Sequence, residues 1–251
     1  MSLQQPSKVY ISNRYSLQGQ PASSFDNMMQ MPIERPIAFK VESASVDYTW
    51  STFSKYDNMI YLQIGQNSYT IEISTSKYYE NPVDLAADIQ ALLRSATSLD
   101  FNFTYNTLLS QRFQMSPPSG TTFSFNAGPF SAYERLGFWE ATGTYSNASP
   151  LLGDHMMDMQ RTHSAWIVSD ISNGTYSSNG RTDIICRVPV TSEFGSVLRY
   201  SDNGNVFLPI SATYISSMSF QILDDDGNEL DTNHVSIELA FQYAPESDMI
   251  M

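Results

Sequence analysis

The side chains best equipped for chemistry in this chain are three histidines, a run of aspartates and a single cysteine. His155 lies between Asp154 and Asp158, with His163 further along, so an imidazole and two carboxylates could meet around a metal if the segment were helical. Met156, Met157 and Met159 interrupt the group, and no pair has the spacing of a zinc site. A polar loop accounts for the same residues. Asp224, Asp226 and Gly227 imitate the middle of a calcium loop, but Ile222 and Asn233 stand where its first and last ligands belong, and the match fails. A turn remains, with Gly227 free to take positive φ. Hydrolysis would need Ser or Cys with His and a carboxylate, and none of the histidines adjoins a nucleophile-elbow sequence. We therefore assign no catalytic, cofactor-binding or metal residue, expect no cofactor, and read the chain as not an enzyme.

The elements around these residues are strands. Met218, Phe220 and Ile222 alternate with polar residues, as do Val235, Ile237, Leu239, Phe241 and Tyr243. Successive strand side chains point to opposite faces, so each run buries one face and wets the other. The link between the two runs is far longer than a hairpin turn, which suits a crossing from one packed sheet to the other and predicts a central last strand. Phe39 and Val41 hold one phase, then Ala44, Val46, Tyr48 and Trp50 hold another; such a slip is what a β-bulge produces. Ile60, Leu62 and Ile64 with Tyr69, Ile71 and Ile73 read as a hairpin across Gly65. One helix is predicted: Asn81 caps it, Pro82 opens it, and Leu85, Ile89, Leu92 and Leu93 form its apolar stripe.

Composition points the same way. Charged residues are 16% of the 251, aromatics 13%, and Ser, Thr, Asn and Gln fill the surface positions. The net charge is −13, with no Lys or Arg after Arg199, so direct nucleic-acid binding is not expected. The acidic turn from Asp224 to Asp231 reads as a solvated rim. Cys186 lies in an alternating run and is expected to be a small buried apolar residue. The first residues lack an apolar core, so secretion by a cleaved signal is not expected. The expected fold class is all-β: a single jelly-roll β-sandwich of two antiparallel sheets and about eight strands, with one short helix and an extended N-terminal arm. The arm is residues 1–35, rich in Gln, Ser, Met and Pro; the sandwich is 36–243, with 141–180 loop-rich and a candidate insertion; 244–251 is an acidic tail.

Several stretches resemble one family. They are YISNRYSLQGQPASSFD near the start, IAFKVESASVDYTW, NPVDLAADIQALL, FSFNAGPFSAYERLGF and the closing YISSMSFQILDDDGNELDTNHVSIELAFQY. Together they resemble the single jelly-roll penton proteins of icosahedral double-stranded DNA viruses, the type shared by virophages, Polinton-like elements and large eukaryotic DNA viruses. The integrin-type Arg-Gly-Asp of some pentons is missing, and Arg181-Thr182-Asp183 is no substitute. The resemblance implies a structural capsid protein: a homopentamer at the fivefold vertex, ringed by trimers of a double jelly-roll major capsid protein, with a fibre or an inner minor capsid protein as further partners. It implies a virion location after synthesis in the host cytoplasm.

The alternative is a receptor- or carbohydrate-binding head of a viral spike or fibre, which predicts Trp139, Tyr145 and Tyr176 exposed around a concave site. A cupin-type enzyme fits worse, because three dispersed histidines make a poor ligand set.

Overall fold

The structure, a computed structural model, describes residues 7–15, 20–107, 111–126, 128–139, 143–160, 162–172, 180–202, 204, 206–210 and 212–243. In chain order the elements are β1 (Lys8–Ser12), β2 (Ser24–Glu34), β3 (Pro36–Asp47), β4 (Met59–Ile64), β5 (Asn67–Glu72) and α1 (Pro82–Thr97). There follow β6 (Asn102–Tyr105), β7 (Phe113–Ser116), β8 (Thr122–Phe125), β9 (Thr144–Ser146) and β10 (Leu151–Leu152). The last six are β11 (Ser164–Ser169), β12 (Ile184–Pro189), β13 (Val197–Ser201), β14 (Leu208–Pro209), β15 (Tyr214–Leu223) and β16 (Val235–Tyr243). The fold is an all-β jelly-roll sandwich with one α-helix among the described residues.

The chain divides into two compact units, one made of 1–50 with 162–251 and the other of 51–161. The first is the sandwich. One sheet runs β1-β16-β3-β13, with β14 also on β3; the other runs β12-β11-β15-β2. Every pairing is antiparallel. The link from β15 to β16 does cross between sheets, and β16 is central, flanked by β1 and β3. The inner faces meet through Phe39, Val41, Val46, Ile237, Leu239 and Phe241 on one side and Phe25, Ile33, Ile167, Met218, Phe220 and Ile222 on the other, all buried. Rings stack within a sheet, Phe25 on Phe220 at 5.5 Å between centroids. The bulge expected in β3 is present: Glu238 faces Ser43 and Leu239 faces Val41, so Glu42 has no opposite number and the inward phase changes there.

The second unit holds two smaller sheets, β5-β4-β8-β9 and β10-β7-β6, with α1 packed beside them. Its core is rich in rings: Phe53, Phe101, Phe103, Phe113, Phe123 and Phe138. The helix starts as the sequence predicts, with the Asn81 side chain accepting the Val83 and Asp84 N–H groups at 3.0 and 2.9 Å. It ends on Ser98 in the left-handed region (φ 57), where glycine is commoner. Arg135 pairs with the buried Asp57 at 3.1 Å and donates to the Thr52 carbonyl at 2.7 Å, tying the strand-poor segments of this unit together.

Two expectations change. The sequence reading takes 36–243 as one sandwich and looks for an insertion at 141–180; the observed second unit is 51–161, and 162–172 already belongs to the sandwich. The N-terminal segment is not a free arm. β1 pairs along its whole length with β16, and β2 pairs with β15 at both of its ends, burying Val9, Ile11, Phe25 and Ile33. Tyr176 and the tail 244–251 lie outside the described residues.

Removing residues 1–34 takes four buried apolar side chains from the core. At about 1.5–3 kcal/mol each, that is roughly 6–12 kcal/mol, comparable to the whole stability of a domain. The truncated chain should be insoluble or lack a cooperative thermal transition.

Candidate functional site

Asp154, His155, Asp158 and His163, weighed and set aside as metal ligands, do not form an ion site among the described residues. Asp154 and His155 both donate their backbone N–H to the Gly137 carbonyl, at 2.8 and 3.1 Å. That close approach requires glycine at 137: φ is +80°, and a Cβ there would lie 2.2 Å from the His155 carbonyl oxygen. The clamp sets the His155 ring edge-on against Trp139, with centroids 5.1 Å apart. His163 belongs to the other unit. Among the described residues no three His, Cys, Asp or Glu side chains could share an ion.

Trp139 is 60% exposed, and its indole N–H is held by the Glu134 carbonyl at 2.9 Å. Tyr145, its expected companion, packs instead against Phe123 at 5.5 Å and is half-buried. Among the described residues, the expected aromatic site is represented by a fixed indole beside an imidazole.

The acidic turn after β15 is a correction. Asp224 is only 3% exposed. Its Oδ1 accepts the N–H groups of Asp226 and Asn228 at 3.0 and 2.7 Å, its Oδ2 accepts the Asn228 amide at 3.2 Å, and Gly227 takes φ +86° to close the loop. The carboxylate thus replaces water around a turn that the sheet end would otherwise leave unpaired. Asp225 reaches β11, where it accepts the backbone N–H of His163 at 2.8 Å, that of Ser164 at 3.2 Å and the Ser164 hydroxyl. Arg187 on β12 pairs with Asp225 at 3.5 Å, donates to the Ser164 hydroxyl at 3.0 Å and covers the Trp166 ring at 5.3 Å. Two of the three aspartates therefore fasten the fold, and Asp226 alone is exposed.

Cys186 is buried, as expected, and burial pushes its thiol pKa up, so it is held as an unreactive thiol. A shallow cavity of about 450 Å³ lies between β5 and α1, lined by Glu72, Ser74, Tyr79, Asp88, Ala91 and Leu92. Asp88 there is paired with Lys77 and accepts the Tyr79 phenol at 3.0 Å, and the Lys77 contact holds its carboxyl below the usual range. A carboxylate so stabilised is a poor general base at neutral pH. On the outer face of β1, Lys8 joins Glu42 and, at 3.1 Å, Glu238. The hydrogen bond from Lys8 holds the Glu238 carboxyl low, while the two glutamates raise the Lys8 ammonium. In the sequence Glu238 is one of the polar residues on the wet face of the closing run, and its partner Lys8 lies far away in the chain. Among the described residues no helix is long and apolar enough to cross a membrane.

Two outcomes follow from these contacts. Asp225→Ala removes one carboxylate from four donors and should lower stability by about 1–3 kcal/mol, read as a shift of several degrees in thermal melts. For the β1 cluster, a depressed carboxylate contributes stability above its unfolded pKa and loses it as pH falls through the folded one. The destabilisation by Lys8→Met should therefore be present at pH 7 and vanish as the pH drops well below the usual carboxylate value of about 4; a mutant–parent gap that stays constant down to strongly acidic pH would contradict this.

No family model matches the chain, and no curated protein matches it in sequence. Among solved structures it is similar to the mavirus penton protein, known from a crystal structure of the selenomethionine-labelled form, with a TM-score of 0.50 and 13% identity over 95% of this chain and 99% of that one. The likeness is one of fold, and it supports a penton-like architecture along almost the whole chain.

Proposed function

We propose that this chain is a structural capsid protein that forms the homopentameric penton at the fivefold vertices of an icosahedral virus. The observation that carries this reading is the end-to-end likeness to a viral penton protein, 95% of one chain against 99% of the other. The side chains agree with it: Asp225, Glu238 and Asp88 are each engaged in fastening the fold, and the one that lines the cavity, Asp88, is held by Lys77 and Tyr79. In this reading the partners are four further copies and the trimers of a double jelly-roll major capsid protein around the vertex, with a fibre or inner capsid protein as additional contacts. The protein's place is the virion.

A receptor- or carbohydrate-binding head is the second reading, and Trp139 favours it. An exposed indole whose orientation is already fixed loses little entropy when a sugar face stacks on it.

Native mass spectrometry of the purified chain, with negative-stain images, separates the two. Pentameric rings are expected; a monomer or trimer at every concentration that binds a glycan array, and loses that binding on Trp139→Ala, would replace the first reading by the second.

A further inference from the structure

The sandwich has two flanks with different characters. β1 and β2 are edge strands of the two sheets and lie on the same flank, where the Asn27 amide donates to the Ser12 carbonyl at 3.4 Å. β12 and β13 are the opposite edges and pack near each other on the other flank.

The β2 edge is unusual. Met28 faces Ser217 and Ile33 faces Ile215, so four residues of β2 stand against one of β15. The segment Met29-Gln30-Met31-Pro32 is pushed out of the ladder, at a place where its backbone has no strand beyond it among the described residues. Met28 is 67% exposed and Met31 49%. Edge strands are ordinarily guarded by charge, and this stretch from Met28 to Pro32 has none. An uncharged, flexible, thioether-rich protrusion is suited to fill an irregular recess.

The strands that edge the two flanks differ in charge. β2 carries only Asp26 and Glu34. Arg187 on β12 is engaged by Asp225, and Asp183 and Asp202 adjoin β12 and β13, so the cation this flank offers a partner is Arg199 on β13. Arg199 is exposed and makes no ion pair among the described residues, beside Val197, which is 46% exposed. Lys8 on β1 does not cancel the pattern, because it is engaged by two glutamates.

A ring needs two different, mutually complementary patches on each subunit, since a self-complementary patch closes as a dimer. We infer that the bulged β2 edge of one copy packs against the β12–β13 flank of the next copy, with the methionines as the apolar centre and Asp26 and Glu34 facing the arginine side. This rests on the penton reading and names the surface that reading leaves open.

The test is a mixing experiment on the full chain, followed by native mass spectrometry. Met28→Glu with Met31→Glu spoils the first flank, and Arg199→Glu with Val197→Ser spoils the second. Each variant alone should lose pentamer by more than about tenfold, as repulsive charges in an interface do, at an unchanged melting temperature of the isolated chain. Mixed in equal amounts, the two should form a heterodimer and nothing larger, because each contributes one intact flank. Should the glutamates disturb folding, Met28→Thr with Met31→Thr should weaken the pentamer in the same direction. Variants that remain pentameric while the parent is pentameric overturn the assignment of the surface alone. A mixture that stays monomeric, or returns to pentamer, does the same. A parent chain that never forms pentamers overturns the vertex reading and this interface with it.

Discussion

The ladder between β3 and β16 is the constraint from which the sandwich follows. Nine residues of β16 pair across β3 from Val46 opposite Val235 to Pro36 opposite Tyr243. The partners come from opposite ends of the chain, so nearly everything else must be in place around them. Until that ladder closes, β1 has no partner, since it pairs only with β16. Contacts of such sequence separation fold slowly, because loop entropy is lost before the contacts return any stability. The intervening 51–161 unit softens that penalty. It carries its own core, and lengthening a closed loop adds only about 0.6 kcal/mol per doubling.

The bulge at Glu42 is what lets one strand serve two burial phases. Without it, either Phe39 and Val41 or Ala44 and Val46 would face water, because a one-residue slip exchanges the two faces. This feature was legible in the sequence, as were the helix with its Asn81 cap and the closing strand pair. All three are local patterns of period, cap or turn. The division into two units was not legible. Both units are built from short strands of similar composition, and the passage through Trp50, Ser51 and Thr52 contains no Pro, Gly or charge to mark a boundary. The N-terminal strands were hidden for a different reason. In β2 the four-residue bulge breaks the period of two, and Pro32 looks like a terminator although it sits where no ladder bond is needed.

The acidic turn illustrates the limit of reading charge as solvent. Asp224 is consumed by the loop that it closes, and Asp225 by a strand sixty-odd positions earlier. No local signal could have predicted the second, because its donors, Ser164 and Arg187, become neighbours only when β11 and β12 pair. The aromatic grouping anticipated around Trp139 separates at Tyr145 for a comparable reason. Gly137 and Gly153 permit the backbone approach that holds Trp139 and His155 together, whereas Tyr145 found more to gain by covering Phe123. Function is less legible still. A jelly roll is shared by many proteins, so the fold by itself assigns no role.

Cys186 has a practical consequence. It is the sole thiol of the chain, sealed on β12 and kept protonated by its surroundings. An alkylating reagent can reach it only when that strand opens, so the rate at which the folded protein takes up a thiol label measures the opening of the sandwich directly. The molecule thus carries its own clock for breathing motions. Any cysteine introduced on the surface would be labelled against a silent background.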